Sequence, residues 1–147
     1  MNELAYMTKN DYFCKQNNKQ YMLSVFKNYL NSKGKDIVIQ KEDETTVSFT
    51  YNELFYIFVH DKSDPYYFRL ILPNVVHVQE NRKNDILNKI NEENTKFKVA
   101  KSTIINENVW ISVEQFVYSM ERINDLFERS LILLQAYIND FREKLHD

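Results

Sequence analysis

Apolar residues recur every three or four positions in three stretches of the chain, a spacing that is typical of amphipathic helices. These predicted helices cover 16–33, 83–94 and 119–145. Gly34 follows the first of them, where a helix end commonly needs a left-handed backbone conformation. The periodic apolar positions are Tyr21, Met22, Val25, Phe26, Tyr29 and Leu30 in the first helix, Ile86, Leu87 and Ile90 in the second, and Met120, Ile123, Phe127, Leu131, Leu134, Ile138, Phe141 and Leu145 in the last.

Five shorter stretches are rich in β-branched and aromatic residues and predict strands. Polar pairs at Asn52-Glu53 and Glu107-Asn108 predict tight hairpin turns, and 61–65 predicts a longer turn. The third strand is expected to end near Pro73, and residues 74–82 fit no element. The predicted strands cover 45–51, 54–60, 66–72, 97–106 and 109–116.

The first hairpin allows two registers because its second strand is apolar on both faces. A two-residue loop would pair Tyr51 with Leu54 and Phe49 with Tyr56. A three-residue loop or a bulge is favoured because it gives a cleaner core face. In that register the inward residues are Val47, Phe49, Phe55, Ile57 and Val59. The opposite face would then carry Tyr56, Phe58, Tyr67, Ile71 and Trp110.

The predicted order is α-β-β-β-α-β-β-α, which is typical of an α+β domain. We expect an antiparallel sheet of about five strands, covered by the first and last helices. A length of 147 residues fits one domain over 1–147. Residues 1–15 are expected to form a loosely ordered N-terminal extension.

Composition excludes several function classes. Gly34 is the only glycine, whereas loops that cradle phosphates need several. The single cysteine, Cys14, excludes disulfides within the chain and cysteine-rich metal sites. The formal net charge is −2, and neither half of the chain has the basic excess of a nucleic-acid-binding tail.

No catalytic, cofactor or metal site is predicted. The histidines His60, His77 and His146 lie at no ligand spacing from one another. The neighbouring carboxylates fall in predicted turns and on helix surfaces, where solvated charge is expected. Cys14 has no histidine close to it in sequence that could serve as a base.

No run of about 18 apolar residues occurs, so no membrane span is predicted. Residues 1–10 are polar and lack the apolar centre of a signal peptide. A cytoplasmic location is therefore expected.

The local sequence resembles the YbjN-like family over roughly residues 20–140. The matching stretches are VSFTYNELFYIFV, DKSDPYYFRLILPNV and INEENTKFKVAKSTIINENVWISVEQFV. Within the last stretch, Asn91, Lys98 or Lys101, and the strand end at 112–116 correspond to the family pattern. Family hairpins usually carry glycine in the first turn, where this chain has Asn52-Glu53.

The resemblance implies the fold shared with type III secretion chaperones, which are small homodimers that bind extended segments of partner proteins and perform no chemistry. Aromatic residues form 14% of the chain. The five residues Tyr56, Phe58, Tyr67, Ile71 and Trp110 would give a sheet face that a second subunit, a partner peptide or a helix of the same chain must cover. We therefore expect a non-catalytic, chaperone-like or regulatory protein-interaction module, as a homodimer. The alternative is a small-molecule-binding sensory domain with a pocket between sheet and helices.

Overall fold

Within residues 21–146, six antiparallel strands, numbered along the chain, form one sheet in the spatial order 1-2-3-4-6-5, and three helices pack against one of its faces. The computed structural model describes residues 21–146. The extension expected at 1–15, including Cys14, lies outside the described residues. The strands are β1 (Ile37–Glu42), β2 (Thr46–Tyr51), β3 (Leu54–Asp61), β4 (Asp64–His77), β5 (Ala100–Ile105) and β6 (Asn108–Phe116), and the helices are α1 (Tyr21–Ser32), α2 (Lys83–Lys96) and α3 (Ile123–His146).

The α+β class and the order of the predicted elements are confirmed, but the sheet has one strand more than expected. The additional strand is β1, at the edge of the sheet beside β2. Five of its six residues are exposed. It therefore has no alternation of apolar and polar residues for a sequence pattern to detect.

Strand β4 continues four residues beyond Pro73, where the sequence predicted its end. Leu72 pairs with Ile111 and Val76 with Val109, so that three residues of β4 lie opposite Trp110 alone. Proline is tolerated at such a bulge because no ladder hydrogen bond requires its missing N–H group. The bulge is closed by Asn74, whose φ is 52° and whose side-chain oxygen accepts a hydrogen bond from the Trp110 indole.

The favoured register of the first hairpin is wrong. Tyr51 pairs with Leu54, so the loop consists of Asn52 and Glu53 alone, with φ values of 49° and 62°. Two central residues with positive φ form the turn type that matches the twist of a hairpin. As a result, Tyr56 and Phe58 point into the core and are fully buried, whereas Phe55, Ile57 and Val59 lie on the opposite face.

The same turn recurs between β5 and β6, one residue earlier than predicted. Ile105 pairs with Asn108, and the central residues Asn106 and Glu107 have φ values of 48° and 62°. Both hairpins therefore use the dipeptide Asn-Glu with both residues in the left-handed region. Asparagine tolerates that region better than most residues, and glutamate has no such advantage.

Stacked aromatic rings hold the helices on the sheet. Phe26 of α1 lies 3.9 Å from Phe58 of β3 between ring centroids, in a stacked arrangement, and 4.9 Å from Phe127 of α3 in an edge-on one. Phe127 also meets Phe68 of β4 at 5.3 Å. All four rings are fully buried, and such contacts contribute about 0.5–1.5 kcal/mol each beyond the area they bury.

Gly34 lies just beyond the end of α1 with φ at 68°, which confirms the left-handed backbone expected there. An added Cβ would meet no atom within 4 Å. Glycine is therefore required by backbone conformation and not by crowding. Within 21–146, no helix is both long enough and apolar enough to cross a membrane.

The free edge of β5 is capped by a side chain of α2. The Asn94 amide accepts a hydrogen bond from Ser102 N–H at 2.7 Å and donates one to Ser102 C=O at 3.1 Å, as a neighbouring strand would. The Tyr137 hydroxyl of α3 donates to the same Asn94 oxygen at 2.7 Å. These bonds fasten α2 and α3 to the edge and protect it from pairing with another chain.

Replacing Asn94 with alanine should destabilise the fold. Ser102 is buried, so the change leaves a buried N–H and C=O without their partner, at a cost of about 1–3 kcal/mol. Urea denaturation followed by circular dichroism measures this loss. Asn88→Ala, at an exposed site on the same helix, is the control and should change stability by less than about 0.5 kcal/mol. Equal effects of the two variants would contradict the capping role.

Replacing the second turn residue by glycine should stabilise both hairpins. Glu53→Gly and Glu107→Gly each remove a side chain from the left-handed region, where an L-residue is strained by about 1–2 kcal/mol. Part of this gain is offset because glycine loses more backbone entropy when the chain folds. We expect a gain of about 0.5 kcal/mol for each variant and an additive effect in the double variant, because the turns share no contacts. Exposed Glu121→Gly, outside any turn of this type, should give no gain.

Candidate interaction surface

The face of the sheet that points away from the helices is uncovered within the described residues. We call it the outer face. Its centre is apolar, and hydroxyl side chains of β2 and β5 flank it. Phe55 is 44% exposed, which is unusual for a phenylalanine in a sheet. The central apolar residues of the outer face are Phe55, Ile57, Val59, Tyr67, Ile71 and Trp110, the apolar residues of its edge strands are Val38 and Ile105, and the flanking hydroxyl residues are Thr46, Ser48, Thr50 and Thr103.

Three of the five residues predicted for this face lie on it, namely Tyr67, Ile71 and Trp110. The placement of Tyr56 and Phe58 on the same face is wrong. Both point towards the helices, where Tyr56 stacks on Phe49 at 5.2 Å and Phe58 stacks on Phe26. The error follows from the hairpin register, because a shift of one residue exchanges the two faces of a strand. Because both side chains are fully buried, they expose no surface with which to contact a partner.

Cross-strand pairs hold the centre of the outer face. Ile71 pairs with Ile57 of β3 on one side and with Ser112 of β6 on the other, and is 5% exposed. Trp110 lies opposite the bulge of β4, and its indole nitrogen donates to Asn74 at 3.0 Å. The bulge thus fixes the orientation of a large aromatic side chain on an otherwise flat surface.

A small charge cluster borders the apolar centre. Both Arg69 of β4 and Lys101 of β5 reach one oxygen of Glu114 in β6, at 3.2 Å and 3.0 Å respectively. The cluster carries a net charge of +1 and links three strands. Burial raises the pKa of the neighbouring Tyr67 phenol, and the Glu114 carboxylate raises it further.

Exposed aromatic residues extend the outer face at the end of β6. Phe116 is 60% exposed and pairs with Tyr67, with ring centroids 5.8 Å apart. Tyr118, in the following loop, is 90% exposed and lies 6.5 Å from Phe116. Neither residue was among those predicted for this face. Strict alternation along β6 from Trp110 would have placed Phe116 there.

The remaining chemical candidates serve structural roles or lie at the surface. His60 is buried on the core face of β3, and His77 and His146 are exposed. Buried Glu93 of α2 forms an ion pair with Lys144 of α3, and burial raises the pKa of its carboxyl group. Among residues 21–146, no three His, Cys, Asp or Glu side chains form a group that could hold a metal ion.

Comparison with known proteins supports the fold. No family model matches the sequence, and no curated protein matches it significantly. The chain is similar in structure to a solved protein described as "YbjN, a putative transcription regulator from E. coli", with a TM-score of 0.61 and 9% sequence identity. The similarity covers 82% of this chain and 91% of the other. The YbjN-like fold is therefore shown.

Neutralising Glu114 should lower the pKa of Tyr67. In Glu114→Gln the negative charge that opposes phenol ionisation is lost, while Arg69 and Lys101 remain. Because the folded-state pKa of Tyr67 lies above the unfolded value of about 10, its contribution to stability is complete below that pH. It is lost as the pH rises through the folded-state pKa. In the variant this loss should be smaller and should be complete at lower pH, because the folded-state pKa lies closer to the unfolded value.

The measurement is a pH titration of tyrosine carbon resonances by NMR. Glu121→Gln, an exposed site outside the cluster, is the control and should leave the Tyr67 titration unchanged. A Tyr67 pKa that is the same in wild type and Glu114→Gln would show that the carboxylate does not act on the phenol.

Proposed function

We propose that the protein is a non-catalytic protein-interaction module that forms a homodimer through its outer face. The observation that carries the proposal is the apolar outer face, which no helix among residues 21–146 covers. Phe55 and Phe116 are 44% and 60% exposed, and a hydrogen bond to Asn74 fixes the Trp110 indole. Contiguous apolar surface rimmed by polar residues marks interaction sites on soluble proteins, and aromatic residues commonly anchor them.

A second copy of the chain fits the outer face because that face carries charges of both signs. In a two-fold arrangement the same patch meets itself, so each charged group must find its opposite on the partner. Arg69 and Glu114 supply such a pair, and Lys101 adds a second cation to the same carboxylate. The hydroxyl groups of β2, including Thr46 and Thr50, can act as hydrogen-bond donors or acceptors around the apolar centre.

Protein binding is favoured over nucleic-acid binding and small-molecule sensing. The net charge is −2, whereas affinity for nucleic acid depends on a basic surface. Aromatic rings, including the Phe26–Phe58 stack, occupy the space between sheet and helices where the pocket of a sensor would have to lie. The fold is similar to that of a protein described as a transcription regulator, and a regulatory role could be exerted through protein contacts.

Phe55→Glu should convert the dimer to a monomer. The substitution places a charge in the proposed interface, and its site is exposed enough for the protomer to remain folded. We expect the dissociation constant of the dimer to rise at least about tenfold, since a buried unpaired charge costs several kcal/mol. Light scattering coupled to size-exclusion chromatography measures the molar mass, which is 17.8 kDa for one chain.

Leu87→Glu is the matched control for this experiment. Leu87 is 42% exposed, close to the value for Phe55, but it lies on α2 in the helical layer. This variant should remain dimeric. A wild-type protein that is monomeric at high micromolar concentration, or equal effects of Leu87→Glu and Phe55→Glu, would contradict dimerisation through the outer face.

A further inference from the structure

A groove runs along α3 on the helical side of the molecule. One wall is the helix, and the other is the connection from α2 to β5. The groove has a volume of about 690 Å³ and is open to solvent. Leu126, Leu133 and Ala136 line it at steps of seven and three residues, which extends it over about 15 Å of helix. Phe97 lines the facing wall.

The facing wall contains a strained residue. Val99 has φ at 69°, in the left-handed region, and is 52% exposed. A hydrogen bond of 2.7 Å from Ala100 N–H to Lys98 C=O closes a three-residue turn around it. Such a turn with positive φ at its centre is rare and strained, and a β-branched residue is least suited to it. This conformation places the apolar Val99 side chain in solvent beside the groove. Packing within the fold does not explain its exposure.

The charges of the groove have one sign. Among the described residues, three cations line it, namely Lys96, Lys98 and Arg129, and no carboxylate does. Lys96 forms an ion pair with Asp140. Within residues 21–146, neither Lys98 nor Arg129 has a carboxylate at ion-pair distance, and both are exposed. The groove therefore combines an apolar floor with two cations free to meet a negatively charged partner.

We propose that this groove binds an acidic amphipathic segment of a partner protein. The segment's apolar side chains lie on Leu126, Leu133 and Phe97, and its carboxylates meet Lys98 and Arg129. The proposal names the partner chemistry of the interaction module proposed above. It rests on that function as a protein-binding role, and it does not depend on the homodimer.

Two other occupants fit less well. A second copy seated symmetrically on the groove would bring Lys98 and Arg129 against their own counterparts, and such like charges oppose association. A small amphiphile with a carboxylate would cover the floor but leave the apolar rim bare. That rim consists of Val99 and Ile132, which are 52% and 57% exposed. A protein segment covers floor and rim together.

The test uses two fluorescein-labelled peptides of twelve residues and the full-length protein. In the first, leucines at steps of three and four form one face and glutamates fill the other. In the second, every glutamate is replaced by lysine. Fluorescence anisotropy should show binding of the acidic peptide and at least tenfold weaker binding of the basic one. In Lys98→Glu/Arg129→Glu, two attractions become repulsions, so this preference should reverse.

Controls separate the possible outcomes. Arg142→Glu reverses a cation on α3 outside the groove and should preserve binding of the acidic peptide. Dimer mass in the same samples reports on the outer face, so a failure of either proposal is recognised separately. Equal binding of both peptides, no binding of either at roughly 1 mM protein, or an unchanged preference in the double variant would overturn the proposal. Laurate that competes with the acidic peptide and binds by itself with equal dependence on both cations would overturn it in favour of a small amphiphile.

Discussion

The register of the β2–β3 hairpin depends on two residues with positive φ, and the two surfaces of the molecule depend on that register. With Asn52 and Glu53 alone in the loop, Tyr56 and Phe58 face the helices. A side chain of this size contributes about 1.5–3 kcal/mol when fully buried. Phe58 is also the ring on which Phe26 of α1 stacks, so the same register sets the position of the first helix.

The three helices of the part of the chain that the structure describes lie on one side of the sheet, and the other side carries apolar residues without a covering layer there. The aromatic core around Phe127 needs only one face of the strands, and no helix among the described residues covers the apolar residues on the other face. Strands with one solvated face normally alternate apolar and polar residues. Strand β3 does not alternate in this way, because its outward-facing residues Phe55, Ile57 and Val59 are also apolar. Such an apolar outer row is expected where a further surface covers it.

Much of the fold could be predicted from the sequence, because helix periodicity and the position of Gly34 are local signals. The sequence could not predict which face of β3 is buried. Both alternating sets of that strand are apolar, so the pattern cannot choose between them, and turn geometry decides. The bulge at Pro73–Val75 was missed since proline usually ends a strand, and β1 was missed since its residues are mostly exposed. Trp110 lies on the expected face, in agreement with the alternation of apolar and polar residues that follows it in β6, and Tyr67 lies on the same face as the only charged residue of its predicted strand, Arg69.

The groove could not have been found from the sequence, because its two walls, α3 and the connection from α2 to β5, meet only in the folded chain, and the strained backbone at Val99 has no signature in the residue pattern. Among the described residues, six other than glycine have positive φ, and three of these are asparagine. The two glutamates accompany asparagine in hairpin turns, where the turn type requires the conformation. Val99 has neither justification: it is β-branched, and it lies in a connection where a more permissive residue would relieve the strain. A strained residue whose apolar side chain lies in solvent does not stabilise the isolated chain. Its position beside Lys98 and Arg129, which form no ion pair within residues 21–146, favours a role in binding over a role in stability.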